Sequence, residues 1–306
     1  LDQAESPIYE LDMELRGTFN ECNWEIVIAD VTNYTRMKNV FESFEPQVVF
    51  HAAAYKHVPL MERNPAEAIK VNIQGTKILA DLANENKVSE FVMISTDKAV
   101  NPTNVMGASK RIAEIYTQSL NKESNTKFIT TRFGNVLGSN GSVIPLFKKQ
   151  IEQGGPLTVT HEDVTRFFMT IPEACQLVLE AGSMGEGGEI FVFDMGESVK
   201  IKDLAKKMIQ LSGLEIDTDI EIKITGLRPG EKLYEELLNN DENTSPTHHD
   251  KILIGKVREY NLTEVQENVE KLINAYSSQN NNTLVKQMKE IVPEFKSNNS
   301  IFTKLD

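Results

Sequence analysis

The chain has 306 residues, of which 40% are hydrophobic and 25% charged, enough for one large α/β domain and a smaller lobe. A formal net charge of −13 and a pI near 5.0 exclude a broad nucleic-acid-binding surface, because a phosphate footprint needs Lys and Arg in clustered excess. Cys22 and Cys175 show no CxxC or Cys/His spacing, and no apolar run approaches the roughly 18 residues of a membrane span, so no disulfide framework, metal centre or spanning helix is expected.

Leu1-Asp2-Gln3 opens the chain without a Met, and 4–15 reads as a turn and helix with nothing before it to connect to, so the chain is expected to begin inside a domain. Short apolar runs at 25–29, 47–50, 90–94 and 127–131, with another near 190–193, read as strands. Helical patterns at about 34–44, 65–84 and 109–121 fill the intervals, and Pro65 suits a first helical position. This alternation is that of successive βα units, so the fold class is α/β with a doubly wound parallel sheet of the Rossmann kind. From Gly138 onward, glycine clusters punctuate shorter elements, and the division expected is 1–138 for a dinucleotide-binding domain, to which the strand near 189–194 returns, and 139–306 mainly for a smaller substrate lobe. Within that lobe 239–250 reads as a polar loop, 252–254 as a strand, and 263–276 and 283–291 as helices.

Ligands of a doubly wound sheet gather at the carboxyl ends of its strands. Four of these ends are distinctive: Asp30-Val31, His51-Ala52-Ala53-Ala54, Ser95-Thr96-Asp97-Lys98 and Arg132-Phe133-Gly134-Asn135. The third is the most informative, since a hydroxyl pair, a carboxylate and an amine follow one strand and Met106-x-x-x-Lys110 opens the next helix, with Met106 and Lys110 on one face. An acidic residue ending the second strand of a Rossmann unit binds the adenosine ribose and disfavours a 2′-phosphate, which makes Asp2 a selector of NAD over NADP.

The segment Ser95-Thr-Asp-Lys-Ala-Val-Asn-Pro-Thr-Asn-Val-Met-Gly-Ala-Ser-Lys110 resembles the active-site signature of the CapD-like polysaccharide biosynthesis family, extended short-chain dehydrogenases that dehydrate UDP-N-acetylglucosamine. His51 to Pro59, Asn72-x-x-Gly75-Thr76, Arg132 to Gly138, Thr165 to Met169 and Leu227-Arg-Pro-Gly-Glu-Lys232 agree with it, so the resemblance spans nearly the whole chain. It implies a redox-neutral lyase in which NAD takes a hydride from C4 of a UDP-sugar, water leaves across C5 and C6, and the hydride returns to C6. By the same resemblance Asp97 protonates the departing hydroxyl, Lys98 takes the C5 proton, Thr96 binds the C4 oxygen and Lys110 the nicotinamide ribose. Asp97 must then hold a proton and Lys98 must lose one. Asp30 would meet the adenine amino group. Ala52, Ala53 and Ala54 would let backbone approach the cofactor, and Asn72 belongs to the same cofactor-binding set. Asn135, Arg166 and Arg228 would bind the diphosphate, a task suited to the planar guanidinium. Lys56, Lys232, His248 and His249 are read as surface residues.

The wider superfamily places Tyr at position 106, and Met106 accepts no proton, so the base for the C4 hydroxyl is expected to be the Asp97/Lys98 pair acting through Thr96 or a water, with Met106 against the substrate. Long, membrane-associated members of the family carry Met here and retain the C5 configuration. The resemblance further implies N-terminal membrane helices in the parent protein, a cytoplasmic site and a homo-oligomer. No G-x-x-G-x-x-G turn follows an early strand, so a first strand and its cofactor loop are expected to be missing and NAD binding by this polypeptide alone to be weak. Two competing readings are a nucleotide-sugar 4-epimerase or reductase, which should carry Tyr at 106, and a non-catalytic module that binds a nucleotide sugar.

Overall fold

A computed structural model describes residues 1–19, 21–236, 244–255 and 258–306. Asp2 forms a parallel bridge with Ile28, its N–H donating to the Val27 carbonyl and its own carbonyl accepting the Ala29 N–H. Between the two lies α1 (Glu5–Thr18), of which only Ile8 is buried. Asn33 accepts the Arg36 N–H and so caps α2 (Tyr34–Phe44), whose apolar face buries Met37 and Phe41. After β1 (Val48–His51) and α3 (Val58–Arg63), Pro65 opens one long helical run: α4 (Pro65–Ala68), a π-helical stretch Ile69–Gly75, and α5 (Thr76–Glu85). Then come β2 (Glu90–Ile94), a 3-10 turn at Asp97–Ala99, and α6 (Val105–Asn121). Helix α6 starts four residues before the predicted 109 because the Asn104 side chain accepts the Gly107 N–H and caps it there.

The chain continues through β3 (Lys127–Arg132), β4 (Asn135–Val136), α7 (Val143–Glu152), β5 (Leu157–Val159), β6 (Thr165–Arg166), β7 (Phe168–Met169) and α8 (Ile171–Met184). It ends with β8 (Ile190–Phe193), β9 (Val199–Lys200), α9 (Ile201–Leu211), β10 (Ile222–Ile224), β11 (Thr244–Pro246), β12 (Ile252–Gly255), α10 (Leu262–Ala275) and α11 (Asn281–Ile291). Of the predicted 239–250 loop, 239–243 lie outside the described residues, and 244–246 instead form β11, antiparallel to β12.

The main sheet has the order β1-β2-β3-β8-β12-β11, with its first four strands parallel. That is the Rossmann-like architecture read from the alternation. The run at 25–29 differs from its prediction: it makes only the Asp2 bridge and does not join this sheet. A cleft of about 650 Å³ lies between that bridged pair and β1, floored by apolar side chains such as Met37, Phe41 and Leu79.

Three apolar cores hold the molecule. One lies between β1, β2 and β3 and α2, α5, α6, α10 and α11, a second under α8 on the opposite face, and a third between α7, α9, β5 and β10. Leu262, Val265, Val269, Leu272, Leu284, Val285 and Met288 pack into the first core, so α10 and α11 lie against the main sheet's helices. Among the described residues no helix is long and apolar enough to cross a membrane.

Beneath the carboxyl ends of the strands sits a buried ion network. Glu114 of α6, fully buried, accepts from Ser95 Oγ at 2.6 Å, from Arg132 Nε and Nη2 at 2.8 and 2.6 Å, and from Arg111 at 3.0 Å. Burial opposes its charge, but Arg132 and Arg111 outweigh that and hold its carboxyl at about 2. Glu114→Gln, which strips the charge from this network, should therefore cost about 3–5 kcal/mol of unfolding free energy by chemical denaturation. A cost below about 1 kcal/mol, no more than that of an exposed pair, would show that the network does not hold the sheet to α6.

Candidate functional site

The stretch after β2 carries the densest chemistry. The Ser95 N–H bonds the Thr131 carbonyl and the Asp97 N–H bonds the Phe133 carbonyl, so 95–97 prolongs the pairing with β3 beyond the strand and fixes the backbone there. Thr96 then accepts the Lys98 N–H, starting the 3-10 turn. Helix α6 presses on this turn: a Cβ at Gly107 would lie 2.1 Å from the Lys98 carbonyl oxygen, so only glycine permits the approach.

Asp97 is wholly buried. Its Oδ1 accepts from Thr96 Oγ1 and Lys98 Nζ, each at 2.9 Å, while Oδ2 has no hydrogen-bond partner among the described residues. A Cβ on Gly134 would come within 3.1 Å of that Oδ2, so glycine there keeps the space beside it open. Lys98 Nζ also lies 3.5 Å from Asn135 Oδ1 and 3.7 Å from Glu235 Oε1. Burial disfavours its ammonium, yet Asp97 and Glu235 outweigh burial and raise its pKa. The two carboxylates facing it favour the ammonium.

Lys110 behaves in the opposite way. It is buried one turn beyond Met106, and desolvation, offset only in part by Glu114, lowers its pKa to about 8. Met106 is 3% exposed and packs in the first core, engaged with apolar neighbours.

Asp2, Asp30 and Ala52, Ala53 and Ala54 all line the cleft beside β1. Asp2 accepts the Ala4 N–H and Asp30 the Thr32 N–H, each at 2.8 Å, which points both carboxyl turns at the cleft's polar mouth. Two acidic turns facing a stretch of methyl side chains fit the adenosine half of a dinucleotide. Asn72 is not among the residues that line the cleft. It is fully buried, with its amide committed to the Tyr55 N–H, the Tyr55 carbonyl and Ser109 Oγ, so it clamps the loop after β1 onto α6 and acts through that loop. The spacing Gly182-x-x-Gly185-x-x-Gly188 also exists in the chain, but it lies at the end of α8 ahead of β8, where Cβ atoms on Gly185 and Gly187 would strike Ile129 and Asn121. It serves packing at the amino end of a strand, away from the ligand side.

Arg166 reaches the same cluster from β6. It pairs with Glu231 at 3.1 Å and Glu235 at 3.7 Å, while the neighbouring Glu162 and Asp163 pair with Lys202 and Lys200 instead. Arg228 is 57% exposed and bonds Glu231 Oε2 at 3.3 Å, so one carboxylate joins both arginines. Lys232 is not the surface residue expected: its ammonium, on a side chain 11% exposed, donates to the Val100 carbonyl and ties 228–236 to the loop after Lys98. Glu114, Glu231 and Glu235 escaped the sequence reading of the site, and only Glu231, inside the Leu227–Lys232 motif, carried a local signal.

A mostly parallel, Rossmann-like sheet thus carries a hydroxyl, a carboxylate and an amine after β2 and a buried lysine in the next helix. The chain belongs to the polysaccharide biosynthesis protein family, whose model matches residues 1–257. It is 59% identical to the capsular polysaccharide biosynthesis protein CapD of Staphylococcus aureus over 91% of this chain and 47% of that protein. It is 55% identical to the probable polysaccharide biosynthesis protein EpsC of Bacillus subtilis over 84% and 43%. It thus spans about half the length of these curated relatives. A UDP-glucose 4-epimerase of Rickettsia massiliae is 40% identical over 75% of this chain and 66% of that protein. Among solved structures, Pen from Bacillus thuringiensis superposes with a TM-score of 0.75 and 38% identity over 83% of this chain and 78% of that one. Two structures share the fold: the dTDP-glucose 4,6-dehydratase DesIV of Streptomyces venezuelae, with NAD bound (TM-score 0.62, 19% identity, 74% and 73% covered), and the UDP-glucose 4-epimerase of Thermus thermophilus, also with NAD (0.61, 20%, 72% and 83%).

His51 at the end of β1 is buried, with Nε2 2.8 Å from Thr76 Oγ1, and burial together with the charge of Lys110 lowers its pKa to about 3 from 6.5. The unfolded chain therefore binds a proton near pH 6.5 that the folded chain refuses until about 3, and stability should fall with pH below 6.5. In His51→Gln the unfolding free energy should decline less steeply between pH 6.5 and 4.5, and an unchanged slope would show that His51 carries no such linkage.

Proposed function

We propose that this chain forms the catalytic domain of an NAD-dependent UDP-N-acetylglucosamine 4,6-dehydratase, a lyase supplying a 4-keto-6-deoxy sugar for a capsule, O-antigen or related glycan. The observation that carries the reading is the buried Thr96–Asp97–Lys98 cluster, in which one carboxylate oxygen is shared by a hydroxyl and an amine, each 2.9 Å away. A nucleotide-sugar dehydrogenase needs only one base, whereas elimination of water needs an acid and a base side by side.

Bound NAD would accept the hydride from C4 and return it at C6. Asp2, Asp30 and Ala52 to Ala54 would hold its adenosine half and Lys110 the nicotinamide ribose. With Lys98 as the free amine, the proton leaving the C4 hydroxyl passes through Thr96 to Asp97. Asp97 delivers it to the departing C6 hydroxyl, which leaves as water. Lys98 takes the C5 proton, acidified by the C4 ketone, and returns it to C5 when C6 is reduced. The proton lost from C4 thus leaves in the water, and Asp97 and Lys98 finish as they began. Arg166, Arg228 and Asn135 would bind the diphosphate. The buried, apolar Met106 weighs against the epimerase alternative, which relies on a proton-accepting Tyr there.

Incubation of the full-length protein with UDP-N-acetylglucosamine and NAD should yield a 4-keto-6-deoxy product, without net NADH, as followed by mass spectrometry. Asp97→Asn and Lys98→Met should each lower its formation by at least about 10²-fold, the lower range for loss of a general acid or base. Formation of an epimer alone, or of nothing, would overturn the reading.

A further inference from the structure

Glu235 has no part in the chemistry described so far, yet it lies at the centre of the site's charges. Its side chain is 3% exposed, and its Oε1 stands 3.7 Å from both Lys98 Nζ and Arg166 Nε. Its Oε2 is buried with no hydrogen-bond partner among the described residues. An isolated carboxylate in such a place costs several kcal/mol, so its retention needs the two cations as partners. The backbone delivers it there deliberately. The stretch 228–236 has no regular secondary structure but is stapled to the turn after β2 by Lys232 Nζ on the Val100 carbonyl and Asn101 on Glu236, and to β6 by the Thr165 N–H on the Leu233 carbonyl.

We propose that Glu235 is a positioning residue, the shared counter-ion that holds Lys98 against Asp97 and keeps Arg166 beside it. The charged groups facing Lys98 are Asp97 on its own turn, Glu235 from the 228–236 stretch and Arg166 from β6, with Glu231 beyond Arg166. Of these carboxylates, Glu235 stands within ion-pair distance of both cations. Without it, Lys98 keeps Asp97 and Arg166 keeps Glu231, no carboxylate links the two cations, and the ammonium of Lys98 loses one of its two supports. Glu235 thereby sets how readily Lys98 becomes the amine that the elimination requires, a role that rests on the dehydratase reading for its consequence but not for its measurement.

The test uses the full-length protein and the near-isosteric Glu235→Gln, with Glu235→Asp as the variant that keeps the charge. Labelling of Lys98 by an amine-reactive reagent, quantified by mass spectrometry across pH, should show its midpoint lowered by about one unit or more in Glu235→Gln, a tenfold or greater loss of proton affinity. Glu235→Asp should return most of that shift. In product formation from UDP-N-acetylglucosamine, the acidic limb of the pH profile should move to lower pH by the same amount in Glu235→Gln. An unchanged Lys98 midpoint in Glu235→Gln would overturn the proposal. If the wild-type protein made no keto product, the dehydratase reading would fall, and the labelling curve would still decide the role of Glu235. If Glu235→Gln failed to fold, a Glu235→Asp midpoint displaced as far as loss of charge predicts would overturn it, and one near wild type would support it.

Discussion

The geometry of the site hangs on one buried carboxylate. Glu114 projects from α6 into the region under the strand ends and is met there by Ser95 beyond β2 and Arg132 at the end of β3. A helix lying on a sheet through apolar contacts alone can slide by small increments at little cost, whereas a bidentate ion pair in a dry interior has one geometry. Glu114 therefore fixes the rotation and height of α6 against two strands at once. That in turn sets where Lys110, one turn earlier, stands, and how closely Gly107 meets the Lys98 carbonyl.

The two lysines of the site share burial but differ in charge preference, and the difference lies in their neighbours. Lys98 faces carboxylates on both sides; Lys110 has Glu114 as its only stabilising influence, and Glu114 is already neutralised by two arginines. One site thus holds an amine that leans towards the ammonium and another that titrates near neutrality. A reaction that must both accept a proton from carbon and orient a polar cofactor has use for such a pair.

β1, β2, β3 and β8 were legible as short, largely apolar runs, and β2, β3 and β8 are buried at most of their positions. Residues 25–29 carry the same pattern but find only Asp2 beside them, and no local pattern reports the absence of a neighbour. The helices at 262–275 and 281–291 were equally legible as helices, but apolar spacing says that a face is buried and not against which core. In the site, Thr96, Asp97 and Lys98 could be read together because they are contiguous. Glu235 reaches Lys98 across more than a hundred residues, and the three hydrogen bonds that Asn72 makes to Tyr55 and Ser109 leave no local trace in the sequence.

The cleft between β1 and the bridged pair at Asp2 and Ile28 has a bearing on how the polypeptide behaves among its own copies. β1 is paired on one side only, to β2, and Val48, Phe50 and Ile28 are each more than 40% exposed. A one-sided parallel strand with apolar side chains is a template for pairing with another chain, and it carries none of the lysines, prolines or bulges that usually blunt such an edge.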